Sequence, residues 1–76
     1  MDRAMRARHL ALADRHIASG EERIVDQVYR IAALKARRAD TVPAEQLLGL
    51  FRTTLAGWVD HRNLIAAQRV DPLTPA

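Results

Sequence analysis

Three histidines, His9, His16 and His61, are the residues of this 76-residue chain best suited to chemistry, because imidazole titrates near neutral pH and ligates transition metals. His9 and His16 hold the same place in a near-repeat, RHLALAD then RHIASGE, that runs from Arg8 to Glu21. On a helix, seven residues carry them about two turns, ~10 Å, apart on one face, whereas two ligands of one zinc need i, i+3 or i, i+4 spacing. One metal cannot take both. A site completed by His61 would still use one histidine of the pair, and no carboxylate pair is placed to support it. The repeat therefore reads as packing: both histidines are structural or surface residues, and no metal ligand is assigned.

Other chemistry has less to stand on. Ser19, Thr41, Thr53, Thr54 and Thr74 have no triad partners, the acids are scattered over different helix faces, and no glycine-rich loop is present to cradle phosphate. Cysteine is absent, which removes thiolate catalysis, disulfides and cysteine-ligated zinc together. No catalytic or cofactor-binding residue is assigned, and the chain is not read as an enzyme.

The sharpest charged feature is a line of cations. With Leu10 at heptad position a, the g positions are His9, His16, Arg23, Arg30 and Arg37, with Arg38 adjoining. Arg23, Arg30, Arg37 and Arg38 are thus candidates for an anionic partner such as nucleic acid. The competing reading is a coiled-coil flank, where basic stems cover the seam and pair with acids, as Asp26 and Arg30 could at i, i+4. The net charge is only +3, Asp14, Glu21, Glu22 and Asp26 dilute the field, and Tyr29 alone adds an aromatic nearby. The flank reading is favoured.

These residues need a scaffold, and the hydrophobic period supplies one. The a positions Leu10, Ile17, Ile24 and Ile31, with Ala13, Gly20, Val28 and Leu34 beside them, form a helical stripe over about residues 3–38. Arg37 and Arg38 suit a helix C-terminus, Asp40 or Thr41 a following N-cap, and Pro43 and Glu45 a first turn. The second helix, about residues 42–70, carries Leu47, Leu48, Phe51, Leu55, Trp58 and Ile65 at three-and-four spacing, and Pro72 opens a tail over 71–76. The expected fold is all-α: an antiparallel, coiled-coil-like two-helix hairpin in one domain, 1–70. A return at residue 40 or 41 sets Ile31 beside Phe51, Ile24 beside Trp58 and Ile17 beside Ile65, with Gly20 opposite His61 and Arg62.

A hairpin of this size has a thin core, with alanine prominent among its apolar residues and no covalent or metal staple. Its apolar arcs are wider than one neighbour can cover. Ala4, Ala11, Ala18, Val25 and Ala32 broaden the first helix, while Arg52 is the one charge between Leu47 and Val59, and Leu50, Val59 and Leu64 fall off the seam. Gly49, Thr53 and Gly57 follow at four-residue intervals as a small-residue groove. The residues assigned to an oligomer or partner interface are therefore Gly49, Leu50, Thr53, Gly57 and Leu64 with Ala11, Ala18 and Val25. The simplest assembly is a C2 homodimer forming a four-helix bundle. The expected function is a non-enzymatic protein–protein interaction and assembly module. The alternatives are a small basic nucleic-acid-binding regulator, and an accessory subunit docking its apolar second helix on a larger protein.

HLALADRHIASGEERI, followed at a distance by LLGLFRTTLAGWVDHRNLI, resembles a family of small uncharacterised alphaproteobacterial proteins with an HLAxADRHIAxGExxI pattern, a DT helix start and LLxxFxxT. The resemblance spans about residues 8–65 and implies no activity, cofactor or site residue. The chain departs from it at the turn RRADTVP and at Trp58. The Arg-rich N-terminus lacks an apolar signal core, and no apolar run approaches the ~20 residues that cross a bilayer, so a cytoplasmic, non-membrane protein is expected.

Overall fold

The computed structural model describes residues 2–68, and within them two helices carry the whole fold. α1 spans Arg3–Ala36 and α2 spans Val42–Ala67. They return on one another to give a rod of 66 × 14 × 11 Å, an all-α hairpin as the period requires. The expected tail and the end of the second helix near residue 70 lie outside the described residues. No helix among those described is long and apolar enough to cross a membrane.

Each terminus has a local cause. Asp2 caps α1, its carboxylate accepting from the Met5 N–H at 2.7 Å. At the other end Arg38 takes a left-handed backbone, φ 56°. The Ala39 N–H then reaches the Leu34 carbonyl at 2.9 Å and the Arg38 N–H that of Lys35 at 3.0 Å, a Schellman closure with arginine where glycine is usual. α2 begins at Thr41, whose hydroxyl makes no cap bond. Asp40 instead accepts from the Val42 N–H at 3.0 Å, and Pro43 and Glu45 occupy the first turn.

The seam forms on the expected faces but in a different register. His16, not Ile24, lies on Trp58. Gly20 faces Leu55 rather than His61 and Arg62, so that a Cβ there would stand 3.2 Å from the Leu55 Cδ1. Ile31 borders Leu48 and Glu45. The pairing is displaced by about seven residues, one heptad. α1 stops at Ala36 and the chain turns left-handed at Arg38, before the expected return at residue 40 or 41; each residue by which the pivot moves shifts the pairing by two, so the slide corresponds to a pivot about three to four residues early. Gly20 still marks a close approach, with Leu55 as the residue it admits.

Among the described residues only Ala13, Ile31, Ile65 and Gln27 are buried. Gln27 occupies a d position, is 5% exposed and donates from Nε2 to the Ala44 carbonyl at 2.9 Å. At the open end Arg6 crosses from α1 to the last turn of α2, donating to the carbonyls of Ile65 at 3.3 Å and Ala66 at 2.6 Å. α2 has no basic residue in its own last turn, so this guanidinium caps it from outside.

Candidate functional site

The hairpin offers three surfaces of different chemistry, and the hundred-degree step of a helix fixes where each points. Ala11, Ala18 and Val25 each precede by two residues a position packed toward α2, namely Ala13, Gly20 and Gln27. They therefore lie about 160° away, on the outer edge of α1. Thr53 and Gly57 stand two residues either side of Leu55, and Leu50 two residues after Leu48, so they lie on the far side of α2. The eight residues assigned to an interface from the sequence thus fall on opposite edges of the rod, and one flat contact with a second hairpin cannot use both sets.

The two edges also differ in character. Ala18 and Val25 share a shallow depression with Glu21, Glu22 and Asp26, so the α1 edge is acidic along that stretch. On α2, Leu50 is 64% and Leu64 66% exposed, and a Cβ added at Gly49 or Gly57 meets nothing within 4 Å. The hydroxyl of Thr53 turns back onto its own helix, donating to the Gly49 carbonyl at 3.1 Å. Gly57 also lines an apolar concavity with Thr54, Trp58 and His61, which separates it from Gly49 within the small-residue groove.

The third surface is a flank on which all three histidines gather about the single tryptophan. His16 stacks on Trp58, ring centroids 4.1 Å apart and planes at 11°, while His61 meets the indole edge-on at 5.7 Å and 75°. His9 lies beside the same ring, with Leu12, Ala13 and His61. Among the described residues no three His, Cys, Asp or Glu side chains come together as a metal site, and the cluster is held by aromatic stacking. This gathering was not foreseen from the sequence, where only the spacing of His9 and His16 was visible; its signal was Trp58 at a seam position.

Arg23 continues this flank, bordering Phe51, Thr54 and Trp58, and Arg30 follows one heptad on. Between described residues the ion pairs are Arg62–Asp14 at 3.0 Å and Lys35–Glu45 at 3.9 Å. The expected Asp26–Arg30 pair does not form, and Arg23, Arg37 and Arg38 likewise engage no described acid. Glu21, Glu22 and Asp26 line the α1 edge instead. Arg6 and Gln27, the two cross-helix donors to backbone, went unread in the sequence because their partners lie 59, 60 and 17 residues away.

Comparison with protein-family models, with curated proteins and with solved structures finds no match.

Proposed function

We propose that this chain is a non-enzymatic helical interaction and assembly module that associates with a second copy of itself, most simply as a C2 dimer of hairpins forming a four-helix bundle. The observation that carries the reading is the imbalance between core and surface. Among the described residues the interior holds Ala13, Ile31, Ile65 and Gln27 and no large side chain that is fully buried, whereas Leu12, Val25, Val28, Leu50, Val59 and Leu64 are among the large apolar residues left exposed. At roughly 25 cal/mol per Å² of apolar surface, a second apolar layer supplies the stabilisation that this thin seam lacks. The test is sedimentation of the full chain across a hundredfold concentration range with thermal melts at each point. Mass above the monomer and a midpoint that rises with concentration are expected; a cooperatively melting 8.5 kDa monomer at every concentration refutes the reading. An apolar α2 docking on a larger protein predicts that same monomer.

A second reading is favoured by one observation, the absence of acid partners for Arg23, Arg30, Arg37 and Arg38 among the described residues. On this reading the flank takes an anionic partner such as nucleic acid. One face of Trp58 is taken by His16, which leaves less ring for base stacking on this flank, and binding is expected to be weak and sequence-independent. Sub-micromolar binding of RNA or duplex DNA at about 150 mM salt, lost on changing Arg23, Arg30 and Arg37 to Ala, would promote this reading above self-association.

A further inference from the structure

The concavity on α2 has a specific form. Its four lining residues, Thr54, Gly57, Trp58 and His61, stand at i, i+3, i+4 and i+7, the arrangement that receives one side chain of a facing helix in knobs-into-holes packing. The hole exists because Gly57 contributes no side chain, and an added Cβ there would meet open space. Glycine in the middle of a helix is costly relative to alanine, and of the two glycines of α2 it is Gly57 that lines a concavity. One turn toward the N-terminus, Leu50 is 64% exposed and Leu47 38% exposed. Leu47, Leu50, Thr54, Gly57, His61 and Leu64 repeat at alternating three and four residues, a second seam about a quarter-turn from the one that packs on α1.

We propose that the hole at Gly57 receives the Leu47–Leu50 turn of a second copy of this chain, the two α2 helices running antiparallel about a two-fold axis near Thr53. This rests on the self-association proposed above and specifies the face and the register. Three features favour a second copy as the occupant. An isologous contact needs a surface complementary to itself, and here one helix carries both the knobs and the hole, so that a single register fills two equivalent holes. An axis near Thr53 lies close to the middle of Val42–Ala67, so the two helices overlap along almost their full length. A register that instead seats Leu64 in the hole moves the axis several residues toward the C-terminus and runs the contact past the end of α2. The charge distribution agrees: Asp60 is the one charged residue on the outward side of this helix between Gln46 and Leu64, whereas a two-fold contact centred on the α1 depression would set Glu21, Glu22 and Asp26 against their own copies.

The absence of cysteine makes single-cysteine variants of the full chain clean reporters of register. After sedimentation has established the mass, Thr54→Cys is expected to oxidise to a covalent dimer. Leu50→Cys is expected to cross-link to Gly57→Cys when the two variants are mixed, and not to itself, because the antiparallel register holds the two Leu50 positions roughly 9 Å apart along the axis, beyond disulfide reach. Should substitution at Gly57 disturb the contact, a size exchange answers the same question. Gly57→Leu alone should raise the dissociation constant at least tenfold, and adding Leu50→Ala to it should recover a measurable part of the loss, while Gly49→Leu leaves it within twofold. A dimer in which Leu50→Cys cross-links chiefly to itself, in which Ala18→Cys cross-links and Thr54→Cys does not, or in which Gly57→Leu is harmless overturns the register and leaves self-association standing. A monomer at all concentrations overturns both.

Discussion

The imidazole of His16 lies flat on the indole of Trp58, their centroids 4.1 Å apart and their planes at 11°, and this stack joins α1 to α2. A stacked aromatic contact contributes about 0.5–1.5 kcal/mol beyond its buried area. His16→Gln should therefore lower unfolding stability by about 1 kcal/mol, whereas His9→Gln, on the rim of the same cluster, should be nearly neutral. Urea denaturation of both variants at one protein concentration compares them, and equal effects would contradict a specific role for the stack. Zinc or nickel should leave the midpoint of either protein unchanged; a rise of several degrees that requires His9 and His16 would show ligation instead.

Among the described residues Arg6 is the one side chain that ties the open end of the hairpin to backbone, through the carbonyls of Ile65 and Ala66. Charge-assisted bonds to last-turn carbonyls also oppose the negative end of the helix dipole. Arg6→Ala should lower stability by about 1–2 kcal/mol, and Arg6→Lys should restore part of it, since an ammonium keeps the charge but loses the planar fork. Arg3→Ala, one turn away and exposed, is the control. Equal losses for Arg6→Ala and Arg3→Ala would mean that this end frays.

Gln27 is buried in the seam with a single side-chain bond, to Ala44. The carbonyl it meets belongs to helical backbone, so replacing the amide by an apolar group of similar volume removes a polar group without stranding an essential partner. Gln27→Leu should equal or exceed the wild type in stability. Gln27→Glu should be destabilised by about 2–3 kcal/mol near neutral pH, because an ionised carboxylate would face a carbonyl oxygen. Burial raises that glutamate's folded pKa above its unfolded value, so the folded state takes up the proton more readily and stability should return as pH falls. A Gln27→Glu variant as stable as wild type at neutral pH would show that the side chain leaves the seam.

Arg38 holds a left-handed backbone at φ 56°, a conformation that is unfavourable by about 1 kcal/mol or more for a residue with a Cβ. Arg38→Gly should stabilise the chain by up to about 1 kcal/mol, the relief being offset in part by glycine's greater freedom when unfolded. Arg38→Val should destabilise it by more than Arg37→Val does. Thermal melts of the three variants decide, and a destabilised Arg38→Gly would mean that the arginine side chain makes a compensating contact.

Two helices and a turn were legible in the sequence by itself, because amphipathic period, cap residues and proline placement act within a few residues of chain. The a positions Leu10, Ile17, Ile24 and Ile31 specify a face of α1, and Asp40 to Glu45 specify where α2 begins, whatever lies across the seam. Which residue lies across it was decided only in the tertiary structure. A slide of one heptad preserves every face, so period cannot choose between Ile24 and His16 as the neighbour of Trp58. The choice follows from Arg38 turning left-handed and ending α1 at Ala36, and the pairing carries with it the buried Gln27–Ala44 bond and the close approach of Gly20 to Leu55. The same holds for the surfaces. Helical spacing grouped Ala11, Ala18 and Val25 on one stripe and Gly49, Thr53 and Gly57 on another, but the relation between stripes is a property of two helices packed together. Only that packing sends them to opposite edges of the rod, brings His9 and His16 of α1 to the indole that His61 already meets on α2, and leaves beside Gly57 a hole that no described residue of the same hairpin fills.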